Sequence, residues 1–73
     1  MTYNEYVELA RDSGVYEIIS ELNDYWDPEL ELEDNCIRFM DVLCDGEFLA
    51  CYDWSEEEVN KAYEFLENIQ KTL

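Results

Sequence analysis

The side chains with the greatest capacity for chemistry in this sequence are its carboxylates. Twenty acidic residues stand against four basic ones in a chain of 73 residues, so the formal net charge is −16. The sequence has no histidine, which is the usual base at neutral pH. It also has no glycine-rich phosphate loop, since it contains only two glycines. We therefore expect no catalytic residue, no enzymatic activity and no cofactor.

The cysteines and the dense carboxylates do not have the spacing of a metal site. The three cysteines, Cys36, Cys44 and Cys51, form no CxxC pair. The acids between 41 and 56 do not follow the order of a calcium-binding EF-hand loop.

Polar residues follow Met1 directly, which predicts neither a signal peptide nor a transmembrane span. Free thiols without a secretory signal are typical of a reducing compartment, so we expect a cytoplasmic protein without a metal.

The net charge indicates what kind of partner this protein has. Carrying so much like charge on a small body costs stability through self-repulsion. Nucleic acids and anionic membranes are both repelled by a charge of this sign. We therefore expect a basic protein partner, with no direct binding of nucleic acid and no membrane association.

Two helices are predicted in the first third of the chain. Thr2 and Glu5 have the spacing of a capping box, which marks a helix start. Gly14 suits the end of that helix. A second apolar stripe at helical spacing runs from Val15 to Trp26 and stops before Pro28. The stripes fit either a helix pair or one kinked helix, and we favour the pair.

The middle of the chain has the pattern of strands. Residues 29–33 alternate strictly between glutamate and leucine, and 36–43 and 48–54 are rich in strand-forming residues. Turns at 34–35 and 45–46 would connect these three segments as an antiparallel meander. In that register one sheet face collects most of the large apolar side chains, together with Asp41. A buried Asp41 would have a raised pKa and be a functional candidate, but a bulge or a sheet edge at this position is the better explanation.

A third helix is predicted to close the chain. Ser55 and Glu58 form a second capping box, and an apolar stripe at helical spacing follows from Val59 to Leu73. The predicted fold class is α+β, in the order α-α-β-β-β-α, with the helices packed on one face of a three-stranded sheet. Residues 1–73 are expected to form one acidic domain.

The other face of this predicted sheet would carry the partner-binding residues. We expect carboxylates of the sheet and of the last helix start to contact the partner: Glu29, Glu31, Glu33, Asp34, Asp45, Glu47, Asp53, Glu56 and Glu57. Between them Met40, Val42 and Leu49 would form an apolar patch that the helices leave uncovered. Such a patch would serve as an interface core or as the seam of a homodimer.

In size, charge and predicted architecture the chain resembles the small acidic anti-CRISPR proteins encoded by phages. The features that carry the resemblance are the charge of −16, the Glu29–Glu33 ladder, the Asp45-Gly46 turn and the acidic helix start at Ser55–Glu58. Several members of that class are DNA mimics. The resemblance implies an inhibitor that occupies the nucleic-acid-binding surface of a nuclease or a CRISPR effector and blocks target-DNA or PAM recognition. It also implies the cytoplasm of the host cell as the location, if the protein is phage-encoded.

Two other functions fit the same sequence. An immunity protein or antitoxin that neutralises a basic toxin would use the same electrostatics. A dimeric adaptor domain would instead bind through the Met40, Val42 and Leu49 patch, and its acidity would serve only solubility. Salt separates the adaptor from the other two, because binding through exposed charges weakens as ionic strength rises.

Overall fold

The fold is helical throughout the part of the chain that the structure describes. The structure is a computed structural model, and it describes residues 1–45 and 52–72. The helices are α1 (Tyr3–Asp12), α2 (Tyr16–Leu22), α3 (Leu32–Leu43) and α4 (Glu56–Thr72), with a short 3₁₀ segment at Asn23–Tyr25 after α2. No strand occurs within 1–45 or 52–72. The predicted α+β class with its three-stranded meander is therefore wrong.

The first two helices form the predicted pair, and their boundary has a defined geometry. The backbone N–H of Glu5 donates to Thr2 Oγ1 at 3.2 Å, which confirms the capping interaction. At the other end of α1, Gly14 has a φ of 75°. Its N–H donates to the carbonyl of Arg11, and that of Val15 donates to the carbonyl of Ala10. This pair of bonds is a Schellman motif, which requires the left-handed conformation that glycine adopts without strain.

The segment that was predicted as two strands and a turn is instead a loop followed by α3. Leu32, Cys36, Phe39 and Leu43 recur at helical spacing, and the last three are buried. Glu33 and Asp34 lie in the first turn, where carboxylates complement the positive end of the helix dipole. The alternation at 29–33 belongs to the approach to this helix, because Glu31 is its N-cap residue. Asp41, which was predicted on a buried sheet face, is exposed on α3.

The loop before α3 is organised by one buried side chain. Asn35 is fully buried, and its Oδ1 accepts a hydrogen bond of 3.0 Å from the backbone N–H of Asp27. Its Nδ2 lies within hydrogen-bonding distance of the carbonyls of Asp27, Leu30 and Glu31, at 3.0, 3.3 and 3.2 Å. Arg38 adds a bond of 3.3 Å from its Nη1 to the Tyr25 carbonyl. Residues 26–31 are thus held against the start of α3 without regular structure of their own.

The last helix confirms the sequence prediction most closely. The N–H of Glu58 donates to Ser55 Oγ at 3.1 Å, as the second capping box requires. Ala62, Phe65, Leu66 and Ile69 are buried. Leu73, the last member of the predicted stripe, lies outside the described residues. Residues 46–51 also lie outside them, and these include Gly46 of the predicted turn and most of the predicted third strand. Residues 52–54 are described and do not form a strand.

The core lies where the four helices meet. The most extensive contact between two helices is that of α3 with α4. Each helix contributes buried apolar side chains: Tyr6 and Ala10 from α1, Ile18, Ile19 and Leu22 from α2, Cys36, Phe39 and Leu43 from α3, and Ala62, Phe65, Leu66 and Ile69 from α4. An aromatic cluster of Tyr3, Tyr6, Trp26, Phe39 and Phe65 joins α1 to the two longer helices, with ring centroids 5.0–6.2 Å apart.

Candidate partner-binding surface

The predicted partner-binding acids fall into separate local groups. Glu29 and Glu31 are exposed in the loop before α3, and Asp34 is exposed in its first turn, where Glu33 is half-buried. Asp45 follows α3 and is exposed, as is Asp53. Glu56 and Glu57 are exposed in the first turn of α4. Glu47 lies outside the described residues. The single sheet face that was to unite these acids does not exist, because residues 29–43 form a loop and a helix.

Met40 and Val42 do not form the apolar patch that was predicted for them. Met40 and Val42 are two positions apart on α3, and residues with this spacing do not face the same side of a helix. Both are half-buried and pack against the core. Leu49 lies outside the described residues. The large apolar side chain that α3 exposes is that of Ile37, which is 40% accessible.

Two further rows of carboxylates run along the first two helices. On α1 the row is Glu5, Glu8 and Asp12, and from α2 into the 3₁₀ segment it is Glu17, Glu21 and Asp24. Each row has spacings of three and four residues, so neighbouring side chains are about 5–6 Å apart on one helix face. Five of these six side chains are exposed, and Glu21 is half-buried. Both rows are visible in the sequence as acids at helical spacing, although the predicted site was based on the Glu29–Glu33 ladder.

The basic side chains are all engaged within the protein. Arg38 lies 3.8 Å from the Asp27 carboxylate, Lys61 lies 3.6 Å from that of Glu57, and Lys71 lies 3.0 Å from that of Glu67. Both lysine pairs have i,i+4 spacing within α4. The fourth cation, Arg11, stacks 4.5 Å from the centre of the Tyr16 ring. These contacts leave an outer surface on which carboxylates predominate.

The titratable groups of the core are held in their neutral forms. Burial, and to a smaller extent the nearby Glu33 carboxylate, raises the pKa of the Cys36 thiol to about 11. Burial likewise raises the pKa of Tyr6 well above its ordinary value. A thiol with so high a pKa is a poor nucleophile at neutral pH, because the thiolate is the reactive form. Cys36 therefore acts as a small core residue, whereas Cys44 is exposed.

The described residues offer no metal site and no membrane span. Within 1–45 and 52–72, no three or more Cys, Asp or Glu side chains are grouped in a way that could hold a metal ion. Over the same residues, none of the helices has the length and apolar character needed to cross a membrane.

Comparison with known proteins found no relative of this chain. No protein-family model, no curated protein and no solved structure matches it.

Proposed function

We propose that this protein is an acidic inhibitor that binds the basic nucleic-acid-binding surface of a nuclease or another DNA-binding protein, as a DNA mimic. An anti-CRISPR protein that blocks target-DNA or PAM recognition would be one member of this class. In the proposed complex, carboxylates take the positions of phosphates and meet the lysine and arginine side chains of the target.

One observation carries this proposal: exposed carboxylates far outnumber the exposed cations, and each cation already contacts an acidic or aromatic side chain of the protein. Of the nineteen carboxylate side chains within the described residues, fifteen are exposed and four are half-buried. All four basic side chains contact an acidic or aromatic side chain of the same chain. A partner thus encounters a surface dominated by negative charge, which attracts a basic protein and accelerates its association.

The spacing of the acids on the helices also suits a phosphate mimic. Along one strand of duplex DNA a charge occurs about every 3.4 Å of axis. The rows on α1 and α2 place carboxylates about 5–6 Å apart, so each row presents a sparser version of a phosphate backbone. The exposed acids of the loop before α3 and of the α4 start extend the same kind of surface.

A competition assay tests the proposal. The protein is titrated into complexes of labelled DNA with several nucleases, guide-loaded CRISPR effectors among them, at about 0.1 M and about 0.4 M salt. We expect at least one target to release DNA at near-stoichiometric protein, less effectively at the higher salt. Failure to displace DNA from any of them would contradict the proposal and direct the search to basic toxins.

Charge-reversed variants identify the surface involved. Three variants each raise the net charge by the same amount: Glu29→Lys with Glu31→Lys, Glu56→Lys with Glu57→Lys, and Glu8→Lys with Asp12→Lys. Because the three share one net charge, each controls for the bulk electrostatics of the others. We expect one of them to lose inhibition far more than the rest. An equal, small loss in all three would indicate unspecific attraction and contradict a defined mimic surface.

A further inference from the structure

An apolar groove opens between α1 and α4, and none of the predicted partner-binding acids is among its lining residues. Its volume is about 510 Å³, within the range of about 300–1,000 Å³ that is typical of binding clefts. The core side chains of Val15, Phe65 and Ile69 contribute to its lining. Met1 and Leu9, which are 43% and 39% accessible, also line it. Two of the large apolar side chains that the protein exposes thus belong to the same groove.

Carboxylates flank this groove on both sides. On α1, Glu5 and Asp12 are the i−4 and i+3 neighbours of Leu9 and so lie on its side of the helix, and both are exposed. On α4, Glu64 lines the groove, and Glu57 lies one turn before Lys61, which also lines it. Lys61 is the cation among the groove-lining residues, and its ammonium group lies 3.6 Å from the Glu57 carboxylate. Ser13, Asn68 and Thr72 complete the lining. The groove thus has an apolar base, and the exposed acids in it and beside it outnumber Lys61.

We propose that this groove binds an amphipathic basic helix of the protein partner. The apolar face of that helix would cover Leu9 and the groove base, and its lysine or arginine side chains would meet the carboxylates on either edge. Docking of an amphipathic helix in a groove is an established mode of peptide recognition. The inference rests on the proposed function in one respect, since the helix belongs to the same basic partner.

The dimensions of the groove fit such an occupant. The lining residues of α4 extend from Lys61 to Thr72, and eleven steps of 1.5 Å give a length of about 17 Å. About three turns of a helix cover that length, enough for anchors at i, i+3 or i+4, and i+7.

The net charge of the protein argues against other occupants. A second copy of this chain brings another sixteen excess negative charges to an edge that is already acidic. Anionic lipids and nucleic acids are repelled for the same reason. A partner segment with one apolar and one basic face can contact both the apolar base of the groove and the carboxylates beside it.

A synthetic peptide tests the groove independently of any target. The probe is a fluorescein-labelled helix of about 14 residues, with leucines at i, i+3, i+4 and i+7 and lysines on the opposite face. A second peptide has the same composition in an order that lacks an apolar face. We expect fluorescence anisotropy to show that the patterned peptide binds about tenfold more tightly than the scrambled one. Equal binding of the two would overturn the proposal, since it would reflect charge alone, and so would no binding.

Matched variants then locate the site. Leu9→Gln removes an apolar side chain from the groove, whereas Ile37→Gln removes one of similar exposure from α3. We expect Leu9→Gln to weaken the patterned peptide about five- to twentyfold and Ile37→Gln to leave it unchanged. Circular dichroism checks that both remain folded. An equal effect of the two variants would overturn the proposal.

A second pair of variants tests the acidic edges. Asp12→Asn with Glu64→Gln and Asp24→Asn with Asp41→Asn change the net charge equally. Glu64 lines the groove and Asp12 lies one turn from Leu9 on α1, whereas Asp24 and Asp41 lie on other elements. The first should weaken the peptide more, and equal weakening would overturn the role of the edges.

The same variants separate this proposal from the proposed function. If Leu9→Gln weakens the peptide but no nuclease releases DNA, the groove is supported and the DNA mimic fails. If DNA is displaced while Leu9→Gln has no effect on the peptide or on displacement, the DNA mimic is supported and the groove proposal fails.

Discussion

At the scale of single residues, Asn35 has the most consequential role in the fold. Its side chain is fully buried and pairs with the backbone of the loop that precedes α3. Nothing in the sequence distinguished it from the other asparagines, and its position after Asp34 indicated an exposed turn. The role depends on backbone groups four to eight residues away. Such an arrangement can be recognised only when the path of the backbone before α3 is known.

Replacement of Asn35 by alanine should be strongly destabilising. The change leaves the buried N–H of Asp27 and the nearby carbonyls without the amide that pairs with them. The cost should be about 2–4 kcal/mol in the free energy of unfolding, measured by urea denaturation. Asn60→Ala, at an exposed position of α4, is the matched control and should change stability little. Equal stability of the two variants would show that the loop bonds contribute nothing net.

Cys36 should make the protein sensitive to alkaline pH. Its pKa is about 11 in the folded protein against an ordinary value of 9.0. Between these values the unfolded chain loses a proton that the folded chain retains. The stabilising contribution is therefore complete below pH 9 and is lost as the pH rises toward 11.

Urea denaturation under reducing conditions at pH 8 and pH 10.5 measures this effect. The free energy of unfolding should fall between the two pH values, and it should fall less in Cys36→Ala. Cys44→Ala removes an exposed thiol and should retain the full dependence. If Cys36→Ala and Cys44→Ala respond to pH identically, Cys36 is not the responsible group.

At the scale of the elements, the helix ends were predictable and the middle segment was not. The capping boxes at Thr2 and Ser55 depend on local spacing, and both form. Residues 29–43 contain two competing patterns. The alternation at 29–33 and the β-forming residues of 36–43 favour strands, whereas Leu32, Cys36, Phe39 and Leu43 recur at helical spacing. Packing of α3 against α4 decides between them, and that contact is not local.

The candidate surface was predictable in its chemistry but not in its arrangement. Composition alone indicated an acidic exterior, and most carboxylates of the described residues are exposed. The predicted grouping of particular acids depended on strand register, and it is wrong because residues 32–43 form a helix. The acidic rows on α1 and α2 needed only the helical period and could have been found from the sequence.

The Schellman motif after α1 restricts which residues can occupy position 14, because it requires a positive φ there. Its φ of 75° disfavours any residue with a Cβ, although the space around that atom is open. Gly14→Ala should therefore lower the free energy of unfolding by about 1–2 kcal/mol, through backbone strain and without a steric clash. Gly14→Asn should cost less, because asparagine tolerates this conformation better. Thermal or urea unfolding measures both, and an alanine variant as stable as the parent would contradict the assignment.

At the scale of the whole molecule, self-repulsion should make stability depend on salt. The protein measures 30 × 26 × 19 Å. The Debye length is about 30 Å at 0.01 M ionic strength and about 8 Å at 0.15 M. At the lower salt every charge thus interacts with nearly every other, whereas at the higher salt only neighbours do.

The melting temperature should therefore rise as sodium chloride increases from about 0.01 M to about 0.15 M. Glu8→Gln, Asp12→Asn and Glu17→Gln together remove three exposed charges, and this variant should melt higher at low salt and respond less to added salt. Thermal circular dichroism measures both proteins. A melting temperature that falls with salt would mean that favourable ion pairs outweigh the repulsion.

The two tryptophans give this protein a pair of built-in optical reporters. Trp26 packs against the rings of Tyr3, Tyr6 and Phe39, so its emission reports on the junction of α1 with α3. Trp54 lines a small cavity together with Ile18 of α2 and Glu58 of α4, so its emission reports on the place where these two helices approach each other. Variants that keep one indole, Trp26→Phe or Trp54→Phe, would each give a fluorescence signal from a single place. The two signals then show, without an attached label, whether these two parts of the molecule unfold in one cooperative transition.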